Sequence, residues 1–308
     1  MRALLVVNPK ATAATRRARD TLVDRLSGQV ELTEVSTERR GHAVDLARTA
    51  ADRAFDVVIA FGGDGTVNEV VNGLLADGPD AALPRLAVVP CGSANVFARA
   101  LGLPNHPVAA SEAMLGALHD GRARSVSMGV ADERYFTFCA GMGFDATVVR
   151  IVEGRRARGS RATVSLYVRS ALRHYATGAE RRGPSIRLHP GDGSAPPPLF
   201  LAIVTNTSPW TYIGERAITP TPRAGFDSGL DVYGMTVFGP VPVFRSVLRL
   251  LARSDRVADE RWSVSLHDQA EFALSAPEPV DFQLDGDYLG RRTEVRFRAV
   301  PDALRVAV

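Results

Sequence analysis

Between an apolar run, Asp56-Val57-Val58-Ile59-Ala60, and the helically spaced Val67, Val70, Val71, Leu74 and Leu75 stands the turn Phe61-Gly62-Gly63-Asp64-Gly65-Thr66. The run reads as a buried parallel strand and the spacing as an amphipathic helix. Three glycines and a carboxylate therefore sit at a strand-to-helix turn. Glycine lets backbone N–H groups approach a bulky anion. The helix start adds partial positive charge and donors without helical partners. Asp64 suits a magnesium ion, which favours one or two carboxylates plus phosphate oxygens. The turn reads as a nucleotide-phosphate site.

Composition narrows the setting. With 308 residues the chain is long enough for two cores. No run approaches the roughly 20 apolar residues of a membrane span. Met1 to Pro9 reads as a first strand rather than a signal peptide, because its apolar part is short and ends in Asn8-Pro9. Cys91 and Cys139 are the only cysteines and do not form a ligand-like pair, so a reducing cytosol is expected. In that setting the sequon at Asn206 carries no weight. A net charge of +3 gives no case for a nucleic-acid partner. From Arg150 to Arg182, however, nine arginines face only Glu153 and Glu180. Such a patch is either a solvated helix face or a contact for an anionic membrane. Lys10, the only lysine, follows the first strand, where a phosphate contact and a chance survival are equally open. The six scattered histidines lack metal spacing.

Strand and helix alternate through residues 1–126. Strands are expected at Ala3–Val7, Val30–Val35, Asp56–Phe61 and Leu86–Val89. Helices are expected at Ala11–Leu26, Gly41–Ala54, Thr66–Ala76 and from Asn95 to Leu101. This order predicts an α/β domain with a parallel sheet, binding its ligand beyond the carboxyl ends of the strands. The turns at that edge are all polar: Asn8-Pro9-Lys10-Ala11-Thr12, Thr37, Gly62 to Thr66, and Pro90 to Asn95. Residues 127–302 read mainly as strands: Tyr135–Ala140, Leu199–Thr205, Leu230–Phe238, Trp262–Leu266, Glu271–Leu274, Val280–Leu284 and Glu294–Arg298. Helices are expected near Ala146–Val152, Ala162–Ala176 and Pro242–Ala252. The expectation is an antiparallel β-sandwich domain, with Ala303–Val308 returning to the first domain as a strand.

Several blocks together resemble one family. They are Asn8-Pro9, Gly62 to Glu69, Gly92-Ser93 with Asn95 and Phe97-Ala98-Arg99, Gly143-Phe144-Asp145-Ala146, and Asp285-Gly286-Asp287. The set resembles the diacylglycerol kinase catalytic family, which includes bacterial soluble lipid kinases and is related to sphingosine and ceramide kinases. The resemblance implies a nucleotide-binding α/β domain followed by a β-sandwich that binds lipid. It also implies ATP-dependent phosphorylation of a lipid hydroxyl, with the active site in a cleft between the domains, and Mg²⁺ as the accompanying ion.

Carried over motif by motif, the nucleotide contacts are Asn8, Pro9, Lys10, Ala11, Thr12, Thr37, Gly62, Gly63, Asp64, Gly65, Thr66, Val67, Asn68, Glu69 and Ser93. The family's proton acceptor lies in an Asp-Gly-Glu motif. Here Asp287 stands in for the glutamate, one methylene shorter, and Asp285 is a candidate to share the role. Asp64 and Asp145 are expected at the metal. A second metal motif maps onto Gly225, Asp227, Ser228 and Leu230, with its acid displaced by one position. The resemblance makes a homodimer an open expectation, and the basic stretch from Arg150 to Arg182, with Leu166, Tyr167, Val168 and Leu172 among its arginines, predicts reversible, salt-sensitive contact with the inner membrane face. Two other readings stay open: a kinase of a soluble acceptor such as NAD, whose kinases share the Gly-Gly-Asp-Gly-Thr turn, and a non-catalytic lipid- or nucleotide-binding regulator. Each motif also has a plain structural role available. Asp64 or Asp145 could cap a helix, and Asp285-Gly286 could be a hairpin turn.

Overall fold

The computed structural model describes residues 1–9, 13–28, 30–156, 158, 164–176, 183, 185–251, 259 and 261–308. Lys10, Ala11 and Thr12, and residues 157, 159–163 and 177–182 of the arginine-rich stretch, lie outside them. The chain divides into two compact units, residues 1–128 with 301–308, and residues 129–300.

The first unit alternates β1 (Arg2–Val7), α1 (Ala13–Ser27), β2 (Glu31–Ser36), α2 (His42–Asp52), β3 (Val57–Gly62), α3 (Asp64–Leu74), β4 (Arg85–Pro90), α4 (Val96–Ala100) and α5 (Pro107–His119). The strands lie in the order β2-β1-β3-β4, all parallel. Alternation decides which side chains meet which helices. Ala3, Leu5, Val7, Val57, Ile59, Phe61, Ala87 and Val89 pack with Leu22 and Leu26 of α1 and Met114 and Leu118 of α5. The opposite face, with Leu4, Val6, Val58, Ala60, Leu86 and Val88, is equally buried, and α2 and α3 pack on that sheet. A sheet covered on both faces explains why β3 reads as a continuous apolar run. α5 carries proline in its first turn, a helix-start signal, yet no element was expected there. Arg124–Ala131 forms β5, which has residues in both units, and Val306 pairs in parallel with Leu86 on β4.

The second unit contains β6 (Arg134–Phe136), β7 (Cys139–Gly143), α6 (Phe144–Arg156), α7 (Val164–Ala176), β8 (Arg187–Pro190), β9 (Leu201–Thr205), β10 (Thr211–Ile213), β11 (Arg216–Ile218), β12 (Leu230–Met235), α8 (Pro240–Leu251), β13 (Ser263–Gln269), β14 (Glu271–Leu284) and most of β15 (Asp287–Val306). Antiparallel pairing runs β13-β12-β9-β7-β14-β15, with β8 also on β14. The core gathers Phe136, Phe272, Phe282 and Phe297 with Leu188, Leu199, Val204, Val232 and Leu274. Phe272 and Phe297 stack with ring centroids 5.0 Å apart.

Three strand expectations change. Tyr135–Ala140 is two strands, because the N–H groups of Thr137, Phe138 and Cys139 turn to the Asp285 carboxylate instead of extending one ladder. Glu271–Leu274 and Val280–Leu284 form one strand whose pairing register shifts between Ser275 and Val280, where Pro277 and Pro279 supply no N–H. Glu294–Arg298 and Ala303–Val306 belong to one 20-residue strand.

Candidate active site

In the first unit the expected nucleotide residues collect at the carboxyl ends of β1, β2, β3 and β4. Asn8 follows β1; its N–H donates to the Phe61 carbonyl (3.1 Å) and its side-chain amide to the Thr66 hydroxyl (3.2 Å). Pro9 beside it is exposed. The Thr37 N–H donates to the Val7 carbonyl at 2.8 Å, which holds the end of β2 next to β1. Ser93 lies exposed in the turn between β4 and α4.

Backbone approach explains most of the glycines. A Cβ on Gly62 would fall 2.5 Å from the Thr66 hydroxyl oxygen. One on Gly92 would lie 2.8 Å from the Gly63 Cα, so the β3–α3 and β4–α4 turns touch through their glycines. Asn95 fixes the second turn. It adopts φ 49°, a left-handed conformation asparagine tolerates, and its side chain closes on both the N–H (2.8 Å) and the carbonyl (3.0 Å) of Gly92. Gly65 is different. It stands exposed in the first turn of α3 with nothing within 4 Å of its absent side chain. Glycine inside a helix costs about 0.5–1 kcal/mol relative to alanine, and no contact within the fold calls for it here.

Two acids of the motif connect helices. Asp64 is half-buried in the first turn of α3, and its carboxylate accepts the Phe97 N–H of α4 at 3.3 Å. Glu69 accepts the N–H groups of Gly41 (2.9 Å) and Ala43 (3.1 Å). Its carboxylate therefore closes the start of α2, where Gly41 at φ 82° offers no side-chain cap. Thr66, Val67 and Asn68 are buried along α3, so whatever they offer a ligand comes mainly through the backbone. Burial pushes the Cys91 thiol up to about 12, so it stays protonated and unreactive.

In the second unit, Asp285-Gly286 forms the turn of the β14–β15 hairpin, with Leu284 opposite Asp287. Asp285 at φ 48° and Gly286 at φ 80° both take the positive φ that a two-residue hairpin favours. The Asp285 carboxylate is buried and accepts four hydrogen bonds: Thr137 N–H (2.7 Å), Thr137 hydroxyl (2.8 Å), Phe138 N–H and Cys139 N–H (both 3.0 Å). Burial raises its pKa and these donors oppose the rise. The residue works as a clasp joining the hairpin to the β6–β7 turn. Asp287, at the head of β15, is half-buried.

Asp145 lies in the first turn of α6 and accepts the Gln283 amide at 2.9 Å. The Gln283 amide oxygen accepts the Gly286 N–H, also at 2.9 Å. One side chain thus links Asp145 to the Asp285–Asp287 turn. Gly141 leaves the space: a Cβ there would run into the Asp145 carboxylate. Burial pushes the Asp145 carboxyl up to about 6, and the Gln283 hydrogen bond offsets part of this. An acid whose folded pKa is raised favours the fold most below its unfolded pKa, and that contribution fades as pH rises through the folded value. We expect Asp145→Asn to flatten the decline in stability between about pH 4 and pH 6. Urea unfolding of both proteins across that range checks this; parallel curves would contradict it.

The second metal motif does not converge. Asp227 is exposed. The Gly225 carbonyl accepts both the Ser228 N–H (3.2 Å) and the Ser228 hydroxyl (3.1 Å), and Leu230 pairs with Gln269 on β13. Among the described residues no three His, Cys, Asp or Glu side chains come together. A small hard cation that draws most of its ligands from phosphate and water fits the single carboxylate of Asp64.

Several partners had no signal in the sequence because they meet only through the fold. The buried Asp281 accepts from the Thr147 hydroxyl (2.8 Å), Arg150 (2.9 Å) and the Tyr288 hydroxyl (2.9 Å), tying α6 to β14 and β15. His267 hydrogen-bonds the buried Asp231 at 2.7 Å. Asn206 is wholly buried, which closes its sequon to modification in the folded chain.

Comparison with known proteins adds to this geometry. Residues 2–131 match the family model of the diacylglycerol kinase catalytic domain. A diacylglycerol kinase of Bacillus subtilis (strain 168) is 42% identical over 114 residues, 37% of this chain and 35% of that protein. One from Staphylococcus aureus (strain JH9) is 36% identical over 144 residues, 46% and 44% respectively. These alignments span less than half the length of the curated relatives. Over the full length the fold resembles a crystal structure of a diacylglycerol kinase from Bacillus anthracis str. Sterne, with TM-score 0.71 at 19% identity, covering 99% of this chain and 96% of that one. Another structure from that organism gives TM-score 0.76 at 20% identity, covering 99% and 94%. Residues 2–131, which hold the turns at the carboxyl edge of the parallel sheet, thus match the model of the diacylglycerol kinase catalytic domain.

Proposed function

We propose that the chain is an ATP-dependent lipid kinase that transfers the γ-phosphate to the hydroxyl of diacylglycerol or a similar lipid, which yields phosphatidic acid from diacylglycerol. The observation that carries this reading is Gly65, an open, exposed glycine in the first helical turn after β3, beside the touching turns of Gly63 and Gly92. Space without an internal purpose at a helix start suits an anionic ligand. Gly63 and Gly65 offer backbone toward the triphosphate while buried Gly62 packs against Thr66, and Asn8, Thr37 and Ser93 add polar contacts, with Thr66 contributing through its backbone. Lys10, Ala11 and Thr12 are assigned to the same loop by motif. Asp64 would hold Mg²⁺, which when bound would offset charge on the phosphate oxygens. Glu69 supports the site from behind by fixing the start of α2.

Phosphoryl transfer asks a protein chiefly to position its reactants. Asp287 takes the proton as the lipid oxygen bonds to the γ-phosphorus and the bond to the β-phosphate oxygen breaks. Asp285 holds the hairpin that presents Asp287. Asp145 positions the same turn through Gln283 and Gly286. The protein meets its substrate at an anionic membrane surface, reversibly, and no described helix is long and apolar enough to cross a membrane.

Gly65→Ala separates ligand from fold. It should leave the unliganded protein as stable or up to about 1 kcal/mol more stable, while raising the KM for ATP at least about tenfold, equivalent to ~1.4 kcal/mol of lost contact. Thermal unfolding and ATP titration of turnover measure the two effects. An unchanged KM would remove Gly65 from the phosphate site.

A further inference from the structure

α8 buries one side and leaves the other bare. Val243 and Leu250 pack against Leu201, Ile203, Tyr233 and Met235. On the outward arc, Val241 is 59% exposed, Phe244 63%, Val247 45% and Leu248 49%. The i, i+3, i+7 spacing of Val241, Phe244 and Leu248 makes this one continuous apolar stripe. Water is a poor neighbour for so many large side chains on one helix.

The charges beside the stripe select what covers it. The helix contains no carboxylate. Arg245 and Arg249 fall on one flank; Arg245 lies 5.4 Å over the Trp262 ring, and Arg249 pairs with Asp259 at 3.0 Å. Near the end of α7, Tyr175 meets Phe238, two residues before α8, with ring centroids 5.4 Å apart, and α7 itself exposes Leu172, Arg169 and Arg173. An apolar stripe on a helix without carboxylates, with Arg245, Arg169 and Arg173 in no ion pair among the described residues and only Arg249 matched by Asp259, suits an interface of acyl chains below anionic headgroups. A second copy of this chain would bring the same cations, with no acid on the helix to meet them.

We propose that α8 docks the protein on anionic bilayers by inserting Val241, Phe244 and Leu248 among the lipids. This deepens the lipid-kinase reading and rests on it for purpose, although the docking can be measured alone. The test is cosedimentation of the full chain with phosphatidylglycerol-containing vesicles, comparing wild type with Phe244→Ser/Leu248→Ser. Both side chains are exposed, so thermal unfolding should not change. The expected result is at least about a tenfold weaker vesicle affinity, with turnover on bilayer-embedded diacylglycerol falling in parallel and turnover on a dispersed short-chain diacylglycerol unchanged. Equal vesicle binding by the two proteins overturns the proposal. So does a wild type that ignores vesicles, including one that forms a dimer abolished by the double substitution, because the stripe would then join copies of the chain. A protein that phosphorylates no lipid yet loses vesicle binding on substitution would refute the kinase reading and leave the docking surface standing.

Discussion

Asp287→Asn is expected to lower turnover by about 10²–10⁴-fold, the usual worth of a positioned general base. That equals roughly 3–5 kcal/mol of transition-state stabilisation. Asparagine keeps the size and hairpin position of the half-buried aspartate opposite Leu284 but cannot accept the proton. The KM for ATP should stay near its wild-type value, because nucleotide contacts are assigned to the first unit. Asp287→Glu should remain active, since the family that the chain resembles carries glutamate there. Steady-state kinetics on folded variants decides the matter. Turnover of Asp287→Asn within a few-fold of wild type would exclude this residue as the base.

Asp285→Ala is expected to act on stability instead, and strongly. The substitution strands three backbone N–H groups and a hydroxyl that now share one buried carboxylate. Unsatisfied buried donors cost about 1–3 kcal/mol each, and partial relaxation brings the expected total to about 3–5 kcal/mol. Asp285→Asn should recover only part of this, because its NH₂ group would face donors. Denaturant unfolding measures the loss. A loss below about 1 kcal/mol would mean that the clasp is dispensable.

The contrast between these neighbouring aspartates shows what sequence conveys and what it leaves out. Asp-Gly-Asp reads equally as a hairpin turn and as a catalytic motif, and the hairpin is present in the fold. That Asp285 is saturated by a segment about 150 positions away depends on pairing between β7 and β14, which no local pattern encodes. The first unit was more legible. Its strands are covered on both faces, so each reads as an apolar run, and the glycine turns fall where runs give way to helical spacing. Even there, the Glu69 carboxylate at the start of α2 depends on packing between α2 and α3. In the second unit the paired prolines at 277 and 279 made one bulged strand look like two. The partnership of Asp145 with Gln283 was invisible because glutamine carries no motif signal and the space comes from Gly141, on another strand.

The most direct test of the central claim is phosphate transfer itself. Purified protein is incubated with ATP carrying radiolabelled γ-phosphate, Mg²⁺, and vesicles containing diacylglycerol, with sphingoid base, ceramide and NAD as parallel acceptors. Label is expected in the lipid extract, as phosphatidic acid when diacylglycerol is the acceptor, and none when Asp64 is replaced by asparagine. Label in NAD alone, or in no acceptor while the protein remains folded, would contradict this.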